Sequence, residues 1–479
     1  MGSSTEPADL PATDLVAHYA DGSLSPVEVL ASVRARVEAA EPTLGALWLS
    51  YSDTWQEAAL ASAERWRAGE RVGPLDGVPI TLKENIATEG VPVPLGCAAT
   101  ELVPAAADAP PAARVREAGT ILLGKTTMPD LGMLTSGVSS LHGLTRNPWN
   151  PAWNPGGSSS GAAAAAGAGY GPLHLGTDIG GSIRLPASWT GLFGFKPSNG
   201  RVPIDPPYHG RAAGPLTRTV ADAALLMGVL AQPDWRDYRS LPATSIDFTD
   251  LESSVRGLRI GLLHDAGAGL PVHPEVAAAV SAAAGVFESA GAIVEPVEPF
   301  FTQEILDDLD LFWRVRGWEQ FRSFSHERQN LVLPYIADWC RGGADVPGVV
   351  VMRCVNRMLE AAQRTVAGTQ DYDFVLSPVS PVPAVPAELP SPTNDVAHAL
   401  EHIGFTVPYN MSEQPAASIN CGATVDGRPI GVQIAGRRFD DPGVLRMARF
   451  YEQARPAEAA PDWSRCRGWE SQLFSRSES

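Results

Sequence analysis

Thiols are scarce and scattered in this chain. Cys97, Cys340, Cys354, Cys421 and Cys466 are an odd number in 479 residues, with no CxxC pair among them. A disulfide-built secreted scaffold and a thiolate zinc site are thereby excluded, and no metal is expected. Basic side chains are undersupplied as well: 36 Lys plus Arg face 54 Asp plus Glu, a formal charge of −18. Such a surface repels phosphate backbones and anionic headgroups, so no nucleic acid and no membrane partner is expected. No run of about 18 apolar residues is present to span a bilayer. The opening "MGSSTEPADLP" is acidic and polar where a signal peptide is basic and then apolar, which makes the cytoplasm the expected compartment. A fixed-period repeat and a clean linker are missing too. The chain therefore reads as one domain, with an N-terminal helical segment (1–67) packed on a main body (68–460) and a C-terminal tail (461–479).

What is present is 44% hydrophobic residues, enough to bury a large core. Residues 10–67 read as helices: Ser25, Pro26 and Glu28 form an N-cap, a proline at the first helical position and a capping-box acid, and Val29, Leu30, Val33 and Val37 follow at helical spacing. From about 72, short apolar runs alternate with helical pieces. "GVPITL" before Lys83, "TILL" (120–123), "PLHLG" (172–176), "RIGLL" (259–263) and "RPIGVQIAGR" (428–437) predict strands; 111–118, 219–231, 273–290 and 441–454 predict helices. That alternation argues for an α/β sheet covered on both faces, and taken alone for a parallel one. Aromatics gather between 300 and 345, including Phe312, Trp313, Trp318 and Trp339, either as helical core or as an apolar wall over a pocket. The proline-dense 377–392 predicts an irregular crossing loop.

Two motif matches mislead. Gly119–Thr126, "GTILLGKT", satisfies GxxxxGK[ST], but a phosphate cradle needs a strand before its first glycine and a flexible loop after it. Here helix-like "AARVREA" precedes and apolar Ile121–Leu123 occupies the loop, so a buried strand is the better reading. Gly157–Gly161, "GSSSG", matches the GxSxG elbow, yet the prolines of "NPWNPAWNP" forbid the central strand that must lead into it. No histidine is marked by context as its partner: His174 reads as a strand residue, His142 and His209 as loop residues.

Three pieces carry chemistry in combination: "GVPITLKEN" with Lys83, "PGGSSSGAAAAAG" with Ser158, Ser159 and Ser160, and "GTDIGGSIRLPAS" with Ser182. A lysine in an apolar strand either reaches water at the strand end or is held neutral. "DIGGS" supplies consecutive N–H groups and two glycines free to adopt unusual dihedrals, a nest able to aim donors at an oxyanion. A serine hydroxyl needs a base, and a desolvated lysine serves if its pKa falls to roughly 7–8.

Those blocks, with "LGTDIGGSIRLPASWTGLFGFKPSNGRVP" and the late "GVQIAGRRFDD", resemble the amidase signature family of serine amidohydrolases, most strongly over 75–205 and more weakly over 371–455. The resemblance implies one α/β domain built on a large mixed, twisted sheet with helices on both faces, and a catalytic role for 68–460. It implies a Ser-cis-Ser-Lys triad of Ser182 (nucleophile), Ser158 (bridging serine on a cis peptide after Gly157) and Lys83 (base). Ile179, Gly180, Gly181 and Ser182 would supply oxyanion donors, while Ser159, Thr177, Asp178 and Arg184 would hold the network in place. No cofactor is implied. Ser160, Glu84 and Trp153 depart from the commoner family residues at their positions without touching the triad.

Family members cleave aliphatic and aryl amides, carbamates, peptide and fatty amides, or serve as the glutaminase subunit of tRNA-dependent amidotransferases. "DLGMLTSGV" (130–138) and the aromatic cluster predict a pocket walled by Met133, Leu134 and Trp313. The expected partners are water and a small amide or carbamate, with aryl or bulky apolar amides such as anilides preferred and urethanes and esters as further substrates. The alternatives are the glutaminase subunit of an amidotransferase and a non-catalytic binding protein on the same scaffold.

Overall fold

A computed structural model of the chain describes residues 6–467; the rest of the expected tail lies outside them. Its centre is an eleven-stranded sheet. The strands in chain order are β1 (Leu47–Ser50), β2 (Pro79–Lys83), β3 (Ile121–Thr126), β4 (Val138–Ser139), β5 (Gly143–Leu144), β6 (Leu173–Asp178), β7 (Phe193–Lys196), β8 (Ala212–Thr217), β9 (Arg259–Leu262), β10 (Ile293–Pro296), β11 (Phe374–Pro378), β12 (Ala416–Ala423) and β13 (Pro429–Gly436). β4 and β5 form a separate two-stranded hairpin; the sheet runs β1-β3-β2-β6-β8-β7-β12-β13-β11-β9-β10.

The sheet is mixed, as the family resemblance implied and against the parallel sheet that alternation alone predicts. β3, β2 and β6 are parallel, as are β11, β9 and β10, whereas the strands between β6 and β11 pair antiparallel. Helices pack on both faces. Ser160–Ala168 and Arg184–Thr190 lie together on one side, and Val220–Leu230, Pro274–Ser289 and Asp441–Ala454 contact the sheet and one another on the other.

The predicted helices appear within a residue or two of their expected bounds, and the Ser25 capping box closes in both directions. Two expectations are corrected. Residues 10–67 are not helical throughout, because Leu47–Ser50 forms β1 on the edge of the sheet, antiparallel to β3. A strand of four residues is too short to show period-two alternation against its helical neighbours. The crossing segment at 377–392 begins in a strand, since Ser377 and Pro378 end β11 and only the remainder is irregular. The sequence "ILLGKT" is all strand, so no phosphate loop exists there. One apolar cluster runs continuously from Ala8 to Tyr451, joining the N-terminal segment to the sheet. All five cysteines are buried and none lies in a disulfide among the described residues.

Candidate active site

Parallel pairing of β2 with β6, with Leu82 opposite Leu175, brings the C-terminal ends of two neighbouring strands together. Ligand sites in α/β sheets form beyond such ends. One strand ends in Lys83, the other in Thr177 and Asp178. Behind them lies the Ser160–Ala168 helix, buried along its whole length. Its alanines and glycines are what permit the approach: a Cβ on Gly161 would run into the Ala46 carbonyl oxygen and the Thr127 nitrogen.

Lys83 is fully buried, with its Nζ 2.8 Å from Ser158 Oγ and 3.1 Å from Ser159 Oγ. Burial pushes the amine down to about 7, against the opposing pull of Asp178 and Glu84, while Arg211 pushes in the same direction as burial. A substantial fraction of the amine is thus neutral near pH 7 and able to accept a proton. The Gly157–Ser158 peptide is cis. Ser159 Oγ donates to the Thr177 carbonyl at 3.2 Å and its N–H donates to the Ser182 carbonyl at 3.2 Å, tying the serine loop to the strand end.

Ser182 follows on the turn between β6 and the Arg184–Thr190 helix. From 154 through 199 every residue is buried except Ile179 and Ser182, and both line the same cavity. It makes no side-chain hydrogen bond among the described residues. A Lys83–Ser158 hydrogen bond is therefore formed and a Ser158–Ser182 one is not.

Asp178 organises the turn. Its carboxylate accepts the N–H groups of Gly181 (2.9 Å), Ile183 (3.1 Å) and Arg184 (3.4 Å), and the Arg184 guanidinium at 2.8 and 3.0 Å. Burial works to raise this carboxyl, but Arg184 overrides it and holds the group well below the usual carboxylate range. Arg184 also donates to Thr406 O, Gln433 Oε1 and Asn410 Oδ1. Every donor of this buried ion pair thus finds a partner, as a buried charge requires. Of the N–H groups expected as oxyanion donors, that of Gly181 is given to Asp178 in this structure.

Met133, Leu134 and Trp313, expected in the pocket, line a narrow cavity of about 40 Å³ with Ser182, Ile179 and Gly180. Trp313 closes against Gly180, where a Cβ would meet its ring at 3.4 Å. Thr135, Arg316, Leu400 and Ile403 also line it and were not foreseen. Thr406, Asn410 and Gln433 were missed too; Gln433 lies within the quoted "GVQIAGR", but nothing local marks it as the partner of a residue 249 positions away. A larger cavity of about 520 Å³, between Tyr51, Trp55, Arg65 and Leu122, holds none of the reactive groups and lies at the β1 edge. His174 is a strand residue bonded to Thr81 and Gly171, and His142 a loop residue paired with Glu84 at 2.6 Å, so neither serves a serine. No His/Cys/Asp/Glu cluster fit for a metal occurs among the described residues.

A buried low-pKa lysine on a serine pair, beside a third serine at a cleft, is a constellation suited to acyl transfer without histidine. The profile of the amidase family matches residues 28–445. The chain belongs to the amidase signature family. An acylamidase from Rhodococcus erythropolis is 33% identical over 457 residues, covering 93% of this chain and 96% of that protein. A glutamyl-tRNA(Gln) amidotransferase subunit from Synechococcus sp. (strain CC9605) is 32% identical, over 90% of this chain and 94% of that one. Among solved structures, a bacterial aryl acylamidase of the amidase signature family superimposes with a TM-score of 0.87 at 30% identity, covering 96% and 98% of the two chains. This amidase is accordingly an amide-hydrolysing enzyme. No helix among the described residues is long and apolar enough to cross a membrane.

Proposed function

We propose that this amidase cleaves amides bearing an aryl or other bulky apolar group, anilides among them, through an acyl-enzyme on Ser182. Neutral Lys83 takes a proton from Ser158 while Ser158 takes one from Ser182, and Ser182 Oγ attacks the carbonyl. N–H groups of Ile179, Gly180 and Ser182 receive the negative charge on the oxygen. Ser158 then protonates the departing nitrogen, the C–N bond breaks, and water releases the acid through the same relay. Carbamates and esters enter by the same acylation step. The observation that carries the reading is the fully buried Lys83 amine, 2.8 Å from Ser158 and lowered to about 7. The apolar lining of Met133, Leu134, Trp313, Leu400 and Ile403 supports the substrate class, as does the acylamidase relative.

The test is turnover of 4-nitroacetanilide, a phenylcarbamate, a phenyl ester and free glutamine by the purified chain, with Ser182→Ala as control. Anilide hydrolysis lost in Ser182→Ala is expected, with a fluorophosphonate labelling Ser182 in the parent only. An inert chain that gains glutaminase activity only with partner proteins would move it to the amidotransferase reading, which the Synechococcus relative favours. Failure to label would leave the non-catalytic reading.

A further inference from the structure

Two neighbouring arginines, one lining the Ser182 cavity and the other a second small cavity beside Asn85 and Thr177, have no ion-pair partner among the described residues. Arg316 lies one turn beyond Trp313 on the Gln303–Ser323 helix, on the same face, and lines the Ser182 cavity. Its guanidinium stands 4.1 Å from the centre of the Tyr208 ring. Three residues after Tyr208, Arg211 is half-buried and donates to the Pro206 carbonyl. Burial, and after it the charge of Arg316, lower the Arg211 pKa to about 10, so the two charges sense each other; Tyr208, Asp237 and Asp205 oppose. Among the described residues no acid lies within ion-pair distance of either. Arg314, on the same helix, pairs with Asp310 at 2.6 Å, and Arg239 in the neighbouring loop pairs with Glu413. In a chain with 54 acids to 36 bases, a guanidinium without an ion-pair partner in an otherwise apolar slot, with a second one near it, has the chemistry of a seat for an anion.

We propose that Arg316, stacked on Tyr208 and backed by Arg211, reads a carboxylate carried by the substrate, so that the preferred substrates are amide acids: an apolar frame with a hydrolysable amide and, elsewhere on it, an ionised carboxyl. This narrows the substrate class of the amidase reading and rests on it. Bidentate pairing with a planar carboxylate orients the amide toward Ser182 as well as binding it, and desolvation of the slot strengthens the pair.

The test compares succinic acid mono-4-nitroanilide with its methyl ester, identical at the scissile bond. The acid is expected to exceed the ester in kcat/KM by roughly tenfold or more. Arg316→Gln is expected to bring that ratio close to one, and Arg316→Lys to restore part of it. Calorimetric titration with 4-phenylbutyrate and the uncharged 4-phenylbutanol gives a readout independent of turnover. Binding of the acid alone, lost in Arg316→Gln, upholds the seat even if neither anilide is cleaved, in which case the amidase reading falls by itself. Equal treatment of charged and neutral compounds by the parent, or an equal loss for both in Arg316→Gln, overturns the proposal and leaves Arg316 as a prop for Tyr208.

Discussion

Lys83 is neutral only because water is kept from it, and that fixes how the enzyme answers to pH. With the amine lowered to about 7, kcat/KM should fall tenfold per unit below pH 7, as the base takes up the proton it must be free to accept, and should level off above it. A profile with its acid limb near pH 4–5 would point to a carboxylate base instead. Lys83→Ala should reduce turnover nearly as far as Ser182→Ala, since hydroxyls that share one relay are worth little without its base. Ser158 and Ser182 could be picked out from the sequence because each sits in a glycine- or serine-rich block that makes poor sense as ordinary core, and Lys83 because it is a lysine in an apolar strand. Arg316 could not, because on a helix an unpaired arginine reads as a solvated face until the structure shows what it lacks.

The Ser160–Ala168 helix has no side chain larger than a methyl group or a serine hydroxyl, and this is what brings it against β3. Gly161→Ala would drive its methyl into the backbone of Ala46 and Thr127. Neither can swing aside as a side-chain tip could, so a loss of about 1–3 kcal/mol or more is expected in urea denaturation. An unchanged midpoint would mean the strand yields. The β6 turn follows a different logic. Asp178→Ala would strand the Arg184 charge in the interior, at about 3–5 kcal/mol, whereas Asp178→Asn keeps hydrogen bonds and should cost less. Element positions were readable from local pattern where a compact apolar run, such as "TILL" or "RIGLL", stands clear of its flanking polar and glycine residues. β1 and the antiparallel centre were not, because pairing direction and a four-residue edge strand are settled by partners distant in sequence.

Over the whole molecule, buried amines and thiols set opposing slopes of stability with pH. Lys83, Lys125 and Lys196 each lie at about 7 in the fold, lowered by burial from an ordinary 10.5. Between those values the unfolded chain holds more protons than the folded one, so stability rises with pH, by up to about 1.4 kcal/mol per unit for each lysine. Cys97, Cys340, Cys421 and Cys466 are pushed up to about 12 from an ordinary 9, so above pH 9 the unfolded chain sheds protons first and their contribution to stability falls. Urea denaturation should therefore show greater stability at pH 8.5 than at 7.5, with the gain fading above 9 and turning to a decline by about pH 10. Lys125→Met, outside the reactive cluster, should flatten the rise by up to one lysine's share; a rise of the same slope in that variant would refute the account.

Arg184 reaches forward to Thr406, Asn410 and Gln433. During synthesis the three reactive side chains are therefore translated long before the contacts that brace their turn. A ribosome-bound nascent polypeptide halted near 400 carries Lys83, Ser158 and Ser182, with Asp178 to gather the turn but without the three residues that brace Arg184. Competence to hydrolyse arrives late, as a property of the finished chain.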